Sequence, residues 1–195
     1  MSTSIRTFAR TTLDLGDAQL HPWGRTPAGP ELLDDLVAAA ADPKIALWNP
    51  LPTADHEAAR TWLDTREDSW ERGTGAPFAV LSATDGALLG TVNLRWVDRA
   101  DGLAMIGYWF LPDARGRGLA TRATRAVTTW GFRTGGARRI ELAHAAGNQA
   151  SCRVAHRCGY LPEGVLRESH LFGDGRHHDE HLHARLATDP EPGRR

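Results

Sequence analysis

The sequence predicts an α+β fold: one mixed β-sheet with a single strand–helix–strand crossover, flanked by about four helices. Three observations carry that prediction. Strand-like runs at 76–83, 88–97 and 103–111 follow one another across the short turns Thr84-Asp85-Gly86 and Asp101-Gly102, so they pair as antiparallel neighbours. Helical periodicity precedes this meander and resumes after it. A strand at 138–143 then follows a helix, which inserts one parallel crossover into the sheet.

The elements follow in order. A first strand lies near 11–19, and the Pro/Gly-rich stretch 21–30 reads as a loop. Residues 31–41 form a helix because Leu32, Leu33, Leu36, Val37 and Ala40 share one face, and Asp42-Pro43 closes it. A second helix is expected over 54–72. Thr53 is its candidate N-cap, Asp55 and Glu57 suit its positive end, and Ala58, Ala59, Trp62, Leu63 and Trp70 form its apolar stripe. After the meander, a helix at 117–134 ends at Gly135-Gly136. A short helix at 149–158 ends at Gly159, and a hairpin pairs 165–172 with 180–187 across Gly173-Asp174-Gly175. Residues 1–188 read as one domain, and the polar, Pro-bearing stretch 189–195 as a flexible tail.

Composition narrows the function. The chain has 195 residues, is 41% hydrophobic and 24% charged, and carries a formal net charge of −1. That is ordinary for a folded protein, and near-neutrality argues against general nucleic-acid binding. Lys44 is the single lysine, which disfavours Schiff-base chemistry, and no Walker A sequence occurs. Cys152 and Cys158 stand six apart on one helix and point apart, so no disulfide is expected between them. Free thiols and the absence of an export-like apolar segment suggest the cytoplasm, and no run of 18 apolar residues suggests a membrane span.

The chemistry concentrates where a strand runs through Gly107-Tyr108-Trp109-Phe110-Leu111 into Pro112-Asp113-Ala114-Arg115-Gly116-Arg117-Gly118-Leu119-Ala120-Thr121. A glycine-bearing loop that opens a helix presents free N–H groups and a positive dipole end, an arrangement suited to phosphate. Residues 114–140 hold seven arginines and no acid. The segment lacks a dinucleotide fingerprint.

Arg115-x-x-Gly118-x-Ala120 resembles the R/Q-x-x-G-x-G/A signature of the GNAT acyl-CoA-dependent N-acyltransferases. The element order, Gly107-Tyr108-Trp109, Asn148-x-x-Ser151 and Cys158-Gly159-Tyr160 agree with it over residues 11–187. The likeness is nearest to the branch that contains the ribosomal-protein-alanine N-acetyltransferases. The resemblance implies acetyl-CoA as cosubstrate and no metal. Its pantetheine arm would lie along the backbone of Trp109, Phe110 and Leu111, and its pyrophosphate on the amides of Arg117, Gly118, Leu119, Ala120 and Thr121, with Arg115 and Gly116 also among the coenzyme-binding residues. Asn148 would contact the arm as well as cap its helix, and Ser151 would hydrogen-bond the sulfur and act as general acid.

The general base is less direct. The position where this branch carries a proposed glutamate base is His170 here, and Glu168 is expected on the same strand face. His144 reads as a core or pocket-lining residue, and Trp48 as a candidate floor for an acceptor pocket. The run His177-His178-Asp179-Glu180-His181-Leu182-His183 matches no established metal spacing and reads as surface histidines. Residues 31–71 hold ten acids against three bases, which suggests a cationic amine acceptor. The alternatives are a non-catalytic acyl-CoA-binding module, a nucleotide site at the glycine loop, or a larger donor such as succinyl-CoA. Exposed sheet edges permit a homodimer.

Overall fold

The computed structural model describes residues 9–24 and 30–193. Eight strands form one sheet: β1 Leu13–Asp14, β2 Ala18–Pro22, β3 Gly75–Ser82, β4 Leu88–Asp98, β5 Leu103–Phe110, β6 Arg139–Ala145, β7 Leu161–Leu171 and β8 His177–Leu186. Their spatial order is β1-β2-β3-β4-β5-β6-β8-β7. Only β5 and β6 run parallel, paired through Leu103↔Arg139, Ala104↔Ile140 and Met105↔Glu141. Five α-helices flank the sheet: α1 Pro30–Ala41, α2 Pro43–Trp48, α3 His56–Glu71, α4 Leu119–Trp130 and α5 Gln149–Arg157. A 3₁₀ turn at Pro112–Ala114 and a π-helical turn at Gly131–Gly135 bracket α4.

Alternation along the strands builds two cores on opposite sheet faces. Phe78, Val80 and Phe110 join Trp70, Trp96 and Trp130 on one side. Ala79 and Trp109, one residue out of phase, join Trp23, Leu33, Leu36 and Trp62 on the other. Trp70, Phe78 and Trp130 pack edge to face at 5.2–5.7 Å. Tyr160 is buried and shares a 2.6 Å hydrogen bond with Thr128.

Several expected details change for local physical reasons. The first strand is a hairpin turning at Gly16, and part of the predicted 21–30 loop lies outside the described residues. Asp42-Pro43 ends α1 and also starts the unforeseen α2. The Asp42 carboxylate accepts from the Lys44 and Ile45 amides, and Pro43 supplies a preset first position. Asp55 caps α3 by accepting from the Ala58 amide at 2.8 Å. Thr53, the expected cap, is buried and donates its hydroxyl to the Leu36 carbonyl at 2.8 Å. The helix expected to reach residue 134 is α-helical only to Trp130. There, side chains at Gly131 and Gly135 would collide with Leu94 and Trp96.

The C-terminal stretch is tied down as far as it is described. Asp189 accepts from the Leu186 amide, and Glu191 pairs with the buried Arg185 at 3.1 Å. Both cysteines are free thiols. Among the described residues no helix is long and apolar enough to cross a membrane.

Candidate active site

The parallel pairing of β5 with β6 stops after Met105 and Glu141, while both strands continue, β5 to Phe110 and β6 to Ala145. Between them opens a slot whose β5 edge has no strand partner beyond Met105. At its outer end lies a cleft of about 470 Å³, walled by the loop before α4, the start of α4, and α5. Gly116, Gly118, Leu119, Ala120 and Thr121 line it. Gly118 is the N-cap of α4 at φ +73°, and Gly116 has φ +75°. That left-handed backbone is costly for any residue with a Cβ, so glycine is required by conformation. Nothing lies within 4 Å of where a Cβ would stand at either position, so the requirement is not one of space. With no side chain to cap them, the first-turn amides of a twelve-residue helix remain available to an anion.

Arg115 supports this loop from behind. Its Nε donates to the Phe110 carbonyl at 2.8 Å, and its two terminal nitrogens donate to both oxygens of Asp42 at 3.2 and 2.6 Å. The guanidinium holds the Asp42 carboxyl below the usual carboxylate range. Arg115 therefore borders the cleft with three of its five N–H donors engaged by protein. Leu111 also departs from expectation. Its amide donates to Leu89 and its carbonyl accepts from Ala114, so both backbone groups are engaged within the protein.

Three of the expected block of seven arginines, Arg115 included, are paired with carboxylates, and a fourth donates to a backbone carbonyl. Arg122 pairs with Asp17 at 2.7 Å, Arg139 with Glu141 and Glu163 at 2.8 Å, and Arg125 Nε donates to the Arg157 carbonyl at 3.0 Å. The cations that line the cleft besides Arg115 are Lys44, Arg153 and Arg157, brought there from α2 and α5. Arg117 is exposed and does not line it.

Deeper in the slot the cleft meets a small inner pocket of about 130 Å³, with Trp48, Asn49, Tyr108, Asn148 and Ser151 lining both. Asn148 caps α5, its side-chain oxygen accepting from the Ser151 amide at 3.2 Å. The Tyr108 hydroxyl is the feature that sequence reading missed. It is buried without a hydrogen-bond partner in the pocket that Ser151 also lines, and burial raises the phenol well above its ordinary value, so it stays protonated as a donor. Strand alternation, with Ile106, Tyr108 and Phe110 on one face and the motif Gly107-Tyr108-Trp109 already singled out, was the available signal.

His170 lines this inner pocket and also a third cavity of about 370 Å³ on the opposite side, floored by Trp48 and bordered by Leu51, Trp62, Asn93 and Tyr108. Its ring packs against Phe172 at 4.9 Å. Glu168 does not accompany it. The β7–β8 register breaks between Leu166 and His170, and Glu168 sits in that bulge at φ +46° with its amide donating to the Asp179 carboxylate. The bulge interrupts strand alternation; Glu168 and His170 are both exposed, but only His170 lines the cavities. The carboxylate that does line the inner pocket is Glu180 of β8, which accepts from the Ser169 hydroxyl at 2.8 Å.

None of the ten acids of 31–71 lines the 370 Å³ cavity, and Arg66 is the charged side chain that does. Arg66 lies 4.7 Å over the Trp62 ring, and burial lowers its pKa. Asp55 and Glu57 line a neighbouring, more open groove that Arg66 and Trp62 share. Asp34, Asp42, Glu67 and Asp68 are paired with His56, Arg115, Arg10 and Arg72.

Comparison with known proteins follows the same lines. The family model described as "Acetyltransferase (GNAT) domain" matches residues 25–161. A Bacillus subtilis (strain 168) relative named "Putative ribosomal N-acetyltransferase YdaF" is 37% identical over 95 residues, 49% of this chain and 51% of the relative. The match spans 63% of a second relative from that organism, so the chain aligns with about half to two thirds of these two proteins' lengths. Among solved structures, ribosomal-protein-S5-alanine acetyltransferase from Vibrio fischeri superposes with a TM-score of 0.78 at 19% identity, covering 93% of this chain and all of that one. A ribosomal L7/L12 α-N-protein acetyltransferase in complex with coenzyme A superposes at 0.75 and 20% identity, covering 93% and 98%.

Proposed function

The chain belongs to the GNAT acetyltransferase family, and from that premise we propose that it transfers an acetyl group from acetyl-CoA to a primary amine by direct attack in a ternary complex. One observation carries the reading: the slot between the diverging ends of β5 and β6 connects an uncapped helix start, suited to pyrophosphate, with a pocket holding His170, Tyr108 and Ser151. Acetyl-CoA supplies a thioester carbon activated for attack by an amine.

The residues fit that cosubstrate. The amides of Leu119, Ala120 and Thr121 hold the pyrophosphate, with Lys44, Arg153 and Arg157 adding positive charge around it. The unpaired edge of β5 near Trp109 and Phe110 receives the extended arm as a missing strand would be received. His170 takes the proton that an ammonium must lose before it can attack. Ser151, backed by the protonated Tyr108, gives a proton or a hydrogen bond to the departing sulfur. Asn148 fixes the start of α5 and thereby Ser151. Positioning supplies much of the remaining rate.

The amine enters by the cavity that Trp48 floors. A protein N-terminus or a small-molecule amine suits it. The cationic acceptor suggested by the charge tally draws support from Asp55 and Glu57 in the outer groove, where a second positive group of the acceptor would lie. Arg66 disfavours such a group farther in.

Acetyl-CoA with a panel of amines, reading thiol release and product mass, tests the proposal. Product carrying one acetyl group supports it. Coenzyme binding without thiol release across the panel selects the non-catalytic module instead, and turnover only with a larger acyl-CoA selects a different donor.

A further inference from the structure

Three histidines and a cysteine, from three elements, converge beside the inner pocket. His144 stands on β6 directly opposite His181 of β8, and His183 shares the His181 face two residues on. Cys152 approaches from α5. One ligand atom from each lies within 4.8 Å of all the others. His144 Nε2 and His183 Nε2 are 3.3 Å apart. That is about the separation of two nitrogens held at ~2.0–2.1 Å by one tetrahedral ion.

The surroundings prepare these atoms as ligands. His144 Nδ1 is 2.9 Å from the Ala145 carbonyl, and a hydrogen there leaves Nε2 as a bare lone pair directed at the cluster. His183 is 1% exposed, and its Nε2 faces His144 Nε2. A weak N–H···N bond would account for the 3.3 Å contact alone. It gives no reason for a thiol and a third imidazole to meet at the same point.

We propose that His144, Cys152, His181 and His183 bind one divalent cation of the zinc class. Three imidazoles and a thiolate form a four-ligand set of borderline softness that suits tetrahedral Zn²⁺. Binding releases the Cys152 thiol proton to solvent. The ion joins α5 to β6 and β8 one residue from Ser151, so it acts by holding the helix that carries the proposed general acid. The expectation of surface histidines fails at His183 because β8 turns that face inward under α5.

The test uses the full chain, stripped with chelator and titrated with Zn²⁺ alone and with Co²⁺ as a spectroscopic probe. The expected result is one equivalent bound, a raised Tm with Zn²⁺ but not Mg²⁺, and intense tetrahedral Co²⁺ bands with a thiolate charge-transfer band. Cys152→Ser removes the charge-transfer band, and His183→Gln weakens Zn²⁺ binding at least about tenfold. His177→Ala, outside the cluster, changes neither. If His183→Gln does not fold, His181→Ala, at a half-buried position, replaces it with the same expected loss. The proposal is overturned if no stoichiometric Zn²⁺ binds, or if the Co²⁺ spectrum is unchanged in Cys152→Ser.

Discussion

Arg115 and Asp42 stand 73 residues apart and meet through two hydrogen bonds, joining the loop before α4 to the N-cap of α2. One is the motif arginine of the basic segment, and the other belongs to the acidic one. Asp42 thus caps α2 with one oxygen while both of its oxygens receive Arg115. The contact binds the wall of the proposed coenzyme cleft to the helix that ends at Trp48, which lines the cavity proposed for the acceptor.

Breaking this pair is expected to act on both sites. Asp42→Asn removes the charge and half the fork, which costs about 1–2 kcal/mol at a partly exposed pair. KM for acetyl-CoA is expected to rise more than kcat falls. The pH dependence has a definite sign. The folded-state pKa of Asp42 lies below its ordinary value of 3.8, chiefly because of the Arg115 hydrogen bond. Its contribution is complete above that value and disappears as pH falls through the folded pKa. Melting curves between neutral pH and pH 3 are expected to converge for wild type and variant at the acid end.

At Gly118 the demand is conformational. Gly118→Val is expected to cost roughly 1–2 kcal/mol from the left-handed backbone and to abolish the thermal shift given by CoA. Asn tolerates that region better, so Gly118→Asn is expected to retain more of the shift. Equal losses in both variants would point to crowding instead.

Acid–base chemistry separates two neighbouring residues on β7. His170→Ala is expected to lower kcat by about 10²-fold or more. Glu168→Gln, in the exposed bulge, is expected to leave kcat within about twofold of wild type. Comparable losses would assign the proton to a wider network.

In the core, Tyr160→Phe strands the buried Thr128 hydroxyl, now partnered at 2.6 Å. The expected cost is about 1–3 kcal/mol, read as a drop in denaturation midpoint with unchanged CoA affinity.

The three-strand meander, the crossover and the loop that opens α4 were readable from periodicity and glycine placement, because those signals are local, whereas the β1–β2 hairpin and α2 were not foreseen. The glycine loop that opens α4 is the clearest case, while the left-handed backbone at Gly118 emerged only from the structure. The parts that were not readable depend on atoms far apart in sequence. Periodicity alone cannot announce a bulge, so it put Glu168 beside His170 and gave no notice of Glu180. Charge counting found two opposed segments, but only tertiary contacts show Arg115, Arg122 and Arg139 paired with carboxylates.

By itself, then, the sequence determined most of the elements and a helix start fit for an anion, since each follows from side chains and torsions within a few residues. Only the tertiary structure decided which charges remain for a ligand, which polar groups share a pocket with His170, and that His144, Cys152, His181 and His183 meet. Those depend on strand register and helix docking, which bring together groups that no sequence interval relates.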